Sequence, residues 1–332
     1  MLLVLADGST CFAARVITYR SFLNTDLPGI VQVWKQQRRQ PAFAQTMFND
    51  QFERSILSKP FFDPAGLIMA LRDEEAVGFA HCGFGPNEDR TDLNYERGII
   101  CLLLTTSSPD RLEICSQLIE RAEQYLVSRG SKTILTGTDF PFSPFYLGLY
   151  GGSNVPGILR ANEATIQVFE SRGYNQLSRI LIMQRSLHDF RAVMDRQQTT
   201  VRRSFRIEQD QDPLAADWWE ACTLGNTNRC VFNLIDRKTN ENHGNISYWD
   251  MEPLARNWGV RAMGLFSLKI ESQARQAGLG TFLVGESLRH MQQQAINLVE
   301  AQVADDNLAA VNLFEKMGFE ANDFGIVLGR DF

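Results

Sequence analysis

The spacing of apolar and polar positions changes several times along the chain, and the changes recur. One stretch runs from Asn162 through Phe169 to Gly173 and Tyr174, with apolar residues three and four apart and a glycine at the end. This is the pattern of an amphipathic helix closed by a left-handed residue. A second stretch, from Asn307 through Phe314 to Gly318 and Phe319, repeats it. Asn and Gly are 11 residues apart in both, and the second copy follows the first by 145 residues (307 − 162). Two unrelated helices would not need Asn, Phe and Gly at identical spacing, so the pair points to a duplicated unit.

The segments ahead of each helix also match in kind. In the second half, residues 229–236 and 245–251 read as paired strands around a polar turn, and residues 262–270 as the next strand. An earlier strand is expected near residues 201–207. Residues 281–293 form a helix and residues 296–303 a buried strand leading to Asn307. The first half offers strands at 66–71, 76–84 and 99–104, a helix at 112–128 and a strand at 133–136. The polar residues 189–200 suit a linker, which divides the chain into units 12–188 and 201–332. The aromatic, Gly/Pro-rich residues 140–157 fit neither period. Lining a substrate pocket and packing the two units together are equally good readings of them.

Composition narrows the class. A chain of 332 residues, 44% hydrophobic and 22% charged, suits two soluble α/β cores without staples. A net charge of −6 argues against a nucleic-acid partner, which would need a basic face. No apolar run approaches the roughly 18 residues of a membrane span, and the apolar N-terminus is too short for a signal peptide; the cytoplasm is the expected compartment. The six cysteines include no C-x-x-C pair and the four histidines are scattered, so no metal site is expected. Cys101 and Cys115 read as buried reduced thiols.

The chemistry lies in Arg275, Gln276, Ala277, Gly278, Leu279, Gly280 and Thr281, between a strand and a helix. Glycines at 278 and 280 let backbone N–H groups approach an anion, and the helix behind adds about half a positive charge at its N-terminus. That arrangement suits a pyrophosphate. Arg275, Gly278 and Gly280, followed by Asn307, Ala310, Gly318 and Phe319, resemble the signature of the GNAT superfamily of N-acyltransferases. The tandem layout is similar to that of mycothiol synthase. The resemblance implies an α/β fold of two tandem GNAT-like domains. Each would be a mixed, mostly antiparallel sheet splayed between its fourth and fifth strands and flanked by helices. It also implies acetyl-CoA, or another acyl-CoA, in the second domain. Leu268, Lys269 and Ile270 would then hold the pantetheine, residues 275–281 the pyrophosphate, and Asn307 and Phe314 would contact the cofactor. The matching position in the first half, Thr105 to Ile114, has no glycine and contains Pro109. A degenerate, structural lobe is the expectation there.

The implied reaction is transfer of an acyl group to a primary amine of a small molecule or peptide by direct attack. The family's usual tyrosine acid falls at Phe314, and at Phe169 in the other half; its usual glutamate base falls at Gly264. Both groups are missing. Glu300 and Tyr248 are the replacement candidates, although each also suits a solvated or interface residue. Loss of a positioned acid or base costs about 10²–10⁴-fold, so a catalytically weak acyl-CoA-binding or regulatory module is the competing reading.

Overall fold

The computed structural model describes residues 16–37, 40–45, 47–137, 142–225, 227–271 and 278–332. The first half runs β1 (Ile17–Ser21), α1 (Leu27–Lys35), α2 (Asn49–Phe52), β2 (Leu67–Arg72), β3 (Glu75–Pro86), β4 (Leu93–Thr105), α3 (Arg111–Ser128) and β5 (Thr133–Thr136). It continues through β6 (Ile158–Leu159), α4 (Glu163–Ser171) and β7 (Asn175–Ser186). The second half runs α5 (Arg196–Ser204), β8 (Phe205–Gln211), α6 (Trp218–Leu224), β9 (Arg229–Asp236), β10 (Asn242–Asp250) and α7 (Glu252–Trp258). It closes with β11 (Ala262–Ile270), α8 (Leu279–Gln293), β12 (Leu298–Ala304), α9 (Leu308–Lys316) and β13 (Glu320–Asp331).

All strands join one sheet in the order β1-β2-β3-β4-β5-β13-β7-β12-β11-β10-β9-β8, with β6 paired to β13. The pairing is antiparallel except for β4 with β5 and β11 with β12. The last strands of the two halves trade places: β13 lies beside β5, and β7 lies beside β12. β7 and β13 also pair with each other, with Ile180 opposite its repeat mate Gly325. A pseudo-twofold axis therefore passes through that point.

The duplication is more extensive than the closing helices. Arg97 pairs with Thr133 and Ala262 with Leu298, so this part of the repeat is offset by 165 residues (262 − 97). Helix α4 and strand β7 recur in α9 and β13 at an offset of 145 (308 − 163). The difference of 20 residues (165 − 145) sits between β5 and α4, where the aromatic, Gly/Pro-rich segment lies.

One face of the sheet carries a core that belongs to both halves, in which Trp34 and Phe43 share a cluster with Trp249, Met251 and Leu254. The other face carries two separate cores. Ile114, Leu118 and Ala122 of α3 pack with Phe169 of α4, while Phe282, Leu283 and Leu288 of α8 pack with Phe314. Each such side chain contributes about 1.5–3 kcal/mol of hydrophobic free energy when fully buried.

Two expectations change. The polar segment 189–200 is not all linker, and residues 201–204 are not strand: Arg196–Ser204 is helix α5, and the strand starts at Phe205. The Asp195 side chain caps α5 by accepting from the Gln198 N–H at 2.7 Å. Gln198 and Val201 are buried, and Arg202 pairs with Glu286 of α8. Tertiary packing thus outweighs a polar, β-branched composition that gives little helical signal. Cys101 and Cys115 are free, buried thiols.

Candidate functional site

Strands β11 and β12 run parallel only from Ala262 and Leu298 to Leu265 and Ala301. On the other side β11 stays paired with β10, but the register skips Phe266: Ser247 faces Ser267, and Tyr248 faces Leu265. This bulge sits where the two parallel strands part. Bulges re-aim a strand locally and concentrate near active sites. Beyond it, the β12-facing edge of β11 has no strand partner among the described residues, and such an edge can pair with another chain-like ligand.

A groove of about 1100 Å³ occupies this opening. Leu268, Lys269 and Ile270 form one wall, Gly278, Leu279, Gly280 and Thr281 the end, and Asn307, Ala310 and Leu313 the other wall. Gly278 caps α8 at φ +77°, a left-handed conformation that glycine adopts without strain. Its carbonyl accepts from Gln198 Nε2 at 3.1 Å, which ties α5 to the end of the groove. The first N–H groups of a helix lack intrahelical partners, so the start of α8 presents donors to the groove. Asn307 caps α9, its side chain accepting from the Ala310 N–H at 3.2 Å. Arg275, Gln276 and Ala277 lie outside the described residues.

The inner part of the equivalent opening in the first half is filled. The bulge recurs at Cys101, between the pairs His81–Leu102 and Cys82–Ile100. Tyr150 fills the space beyond it, its hydroxyl donating to Gly157 O at 2.9 Å and accepting from the Leu159 N–H at 3.2 Å. Only about 30 Å³ remains there, while an open pocket of about 630 Å³ at the mouth is lined by Thr105, Ser107, Arg111 and Asn162. At the mouth, Gln37 Nε2 donates to Thr105 O at 3.4 Å, and Gln40 Nε2 to Asn162 Oδ1 at 3.3 Å.

Residues 194–319 match the model of the Acetyltransferase (GNAT) family. This stretch is a GNAT acetyltransferase domain. It begins one residue before the cap of α5 and ends just before β13. No curated protein matches the chain in sequence. Solved structures share its fold at low identity. A GCN5-related N-acetyltransferase from Sphaerobacter thermophilus superposes with a TM-score of 0.65 at 11% identity, over 95% of both chains. A tandem GNAT protein from the clavulanic acid biosynthesis pathway gives 0.63 at 13%, over 95% of this chain and 98% of that one. A GCN5-related glucosamine N-acetyltransferase region of a fungal multi-domain GH3 β-N-acetylglucosaminidase gives 0.70 at 13%, covering 96% of this chain but 38% of that one. These likenesses span both halves and establish a tandem GNAT-like architecture for the whole chain. The family match covers residues 194–319 alone and gives that stretch its acyltransferase affinity.

Three residues singled out in the sequence stand apart from the GNAT groove. Phe314 points into the core, 3% exposed and packed on Phe319 with ring centroids 5.3 Å apart; its neighbour Leu313 faces the groove instead. Tyr248 is fully buried on the α8 side, and its hydroxyl is held by Ser287 Oγ at 2.8 Å. Burial pushes its phenol well above the usual range. Glu300 is also buried, opposite Gly264 on β11. It accepts from the Ser153 N–H at 2.6 Å and from Gln184 Nε2 at 2.8 Å. Burial raises its carboxyl pKa, and these bonds oppose the rise. Neither candidate lines the groove.

Sequence reasoning left the aromatic segment undecided, and the structure places its described residues at the first opening and against β10 and β12 of the second half. It supplies Tyr150, which fills the inner part of the first opening, and it crosses to the second half. There Gln302 Nε2 donates to Gly151 O at 3.0 Å and to Asn154 O at 3.1 Å, and the Trp249 indole N–H donates to Ser153 O at 3.0 Å. The 20-residue excess between the two repeat offsets was the available signal. Among the described residues, no His/Cys/Asp/Glu group suits a metal and no helix is long and apolar enough to cross a membrane.

Proposed function

We propose that the chain moves an acyl group, most simply acetyl, from an acyl-CoA to a primary amine, with the coenzyme held by the unit 201–332. The observation that carries this reading is the groove. A stretch of β11 that has parted from β12, a left-handed Gly278 and the N-terminus of α8 converge on it. Such an end suits a pyrophosphate, because free N–H groups and the helix dipole both favour negative charge. Leu268, Lys269 and Ile270 would hold the pantetheine amides, residues 275–281 the pyrophosphate, and Asn307 the coenzyme from the last helix. The bound coenzyme supplies an activated thioester. The chain's own part is to hold it, to position the amine and to exclude water. Tyr150, which fills the inner part of the first half's opening, supports one coenzyme per chain, with the unit 12–188 as a structural lobe.

One observation favours a binding or regulatory module instead. Phe314 and Gly264, which stand where acid and base would be, cannot exchange protons, and Glu300 lies beneath Ser153. Calorimetry with acetyl-CoA tests the coenzyme site. A Cβ at Gly280 would make only ordinary contact with Leu313, at 3.5 Å. Gly280→Asp should therefore fold, yet its carboxylate would repel the phosphates and lower affinity at least tenfold. Unchanged affinity in a folded variant would remove the assignment. Release of free thiol across an amine panel separates the enzyme from the module.

A further inference from the structure

Between the two halves, on the face of the sheet that carries their shared core, lies a mostly enclosed cavity of about 170 Å³. The first half contributes Lys59, Tyr146 and Asn154 to its walls; the second contributes Asn228, Trp249 and Asp250. The Lys59 ammonium donates to the carbonyls of Cys222 at 2.7 Å and Thr223 at 3.2 Å, at the C-terminal end of α6. An ammonium has three N–H donors, so one is left over. Among the described residues no carboxylate pairs with it, and burial lowers its pKa to about 8. Lys59 is half-buried; a partly desolvated charge without a counter-ion is destabilised, and an anion in the cavity would relieve that.

The opposite sign stands elsewhere on the wall. Burial and the charge of Glu252 raise the Asp250 carboxyl, against a hydrogen bond from the Glu252 backbone and the charge of Arg261. A cation beside it would stabilise the carboxylate. The cavity therefore presents a cationic group and an anionic group on separate walls. Its volume is close to the roughly 150 Å³ that accommodates a benzene-sized molecule, which also suits a small amino acid.

The cavity and the groove share no lining residue, and neighbouring strands of the sheet relate them. Trp249 and Asp250 pair with Gly264 and Met263 of β11. Gly264 precedes the Phe266 bulge by two residues, about 7 Å of strand. The Asp250 wall is thus carried by β10, the strand beside the one that opens to form the groove.

We propose that this cavity receives the acyl acceptor, a small zwitterionic amino acid whose carboxylate meets Lys59 and whose amine lies at the Asp250 wall. The proposal rests on the acyltransfer reading above. It makes the first half a contributor to the acceptor site of the second, although the inner part of its own opening is filled by Tyr150.

The test uses the full chain, with glycine, L-alanine and L-serine, each beside its amide, which keeps the amine and lacks the carboxylate. The acids should bind by calorimetry at least tenfold more tightly than their amides, and should accelerate thiol release from acetyl-CoA where the amides do so weakly. Lys59→Met should erase the preference for acid over amide and leave acetyl-CoA affinity unchanged. The comparison of acid with amide on the unaltered chain needs no variant, so a Lys59→Met protein that fails to fold does not spare the proposal. Equal binding of acids and amides, or no binding of any of the three acids to a chain that binds acetyl-CoA, would overturn it. Failure of acetyl-CoA to bind would instead remove the acyltransfer reading. In that case the preference for acids over amides would still decide whether the cavity takes a zwitterion.

Discussion

His81 lies on β3 in the middle of the first half, wholly buried. Its Nδ1 is 2.9 Å from the Tyr146 hydroxyl, and its ring packs against Phe145 with centroids 4.3 Å apart. Burial lowers its pKa to about 3, whereas an unfolded histidine titrates near 6.5. Between those values the unfolded chain binds a proton that the folded chain does not, so stability falls as pH falls through that window. By pH 5 the loss should be about 2 kcal/mol relative to pH 7.5. His81→Gln, which offers Tyr146 a non-titrating partner, should lack this component. Urea midpoints of both proteins at the two pH values measure it, and parallel shifts would show that His81 is not the source. Nothing in the sequence distinguished this histidine from a solvated one, because its burial comes from residues 62, 145 and 146. Phe314 shows the same limit at the site. Its spacing from Asn307 was legible, but one step around a helix turns a side chain by about 100°, and tertiary packing put Leu313 toward the groove and Phe314 into the core.

At the scale of elements, the aromatic segment does what neither template predicts. Gly152 sits at φ +122°, a backbone region almost reserved for glycine, and a Cβ there would come within 2.0 Å of Glu300 Oε1. The close approach lets Ser153 reach Glu300 and holds the segment on β12. Gly152→Ala should therefore cost about 2–4 kcal/mol, from backbone strain together with overpacking. Gly130 is a suitable control: its φ is +104°, but a Cβ would meet nothing within 4 Å, so Gly130→Ala carries the backbone part alone. Equal destabilisation of the two variants in thermal or urea unfolding would show that the contact with Glu300 contributes nothing. The strands and helices around the segment were largely legible, since β5 and β11 fall on the predicted residues and α8 begins two residues early. Those elements bury one face or both, and their period follows from that. The aromatic segment has no period because its contacts go to α1, β10 and β12 in turn, and helix α5 is held chiefly by a cap and by α8.

At the scale of the molecule, the duplicated units are not independent bodies joined by a linker. β7 fills the space between β12 and β13, and β13 fills the space between β5 and β7. The sequence shows that the two strands are copies, but not which neighbour each one chooses: equivalent strands present similar edges, and pairing over such separations leaves no local pattern. The exchange predicts how the chain behaves when cut. Expressed alone, residues 1–188 lack β13, so β5 and β7 lose the strand between them. Residues 189–332 lack β7, so β12 and β13 do as well. Each piece then exposes unpaired strand edges, a template for association, and should fail to unfold cooperatively as a monomer. Co-expression should restore a 1:1 complex that binds acetyl-CoA. Because β13 is the repeat of β7, residues 189–332 have one other way to close the gap: two copies can each lend β13 to the other's β12, which would give a dimer. Light scattering together with thermal unfolding of the separate pieces distinguishes these outcomes. A monomeric, cooperatively folding piece of residues 189–332 that binds acetyl-CoA would mean that the exchanged strand is dispensable and that the site needs only its own half.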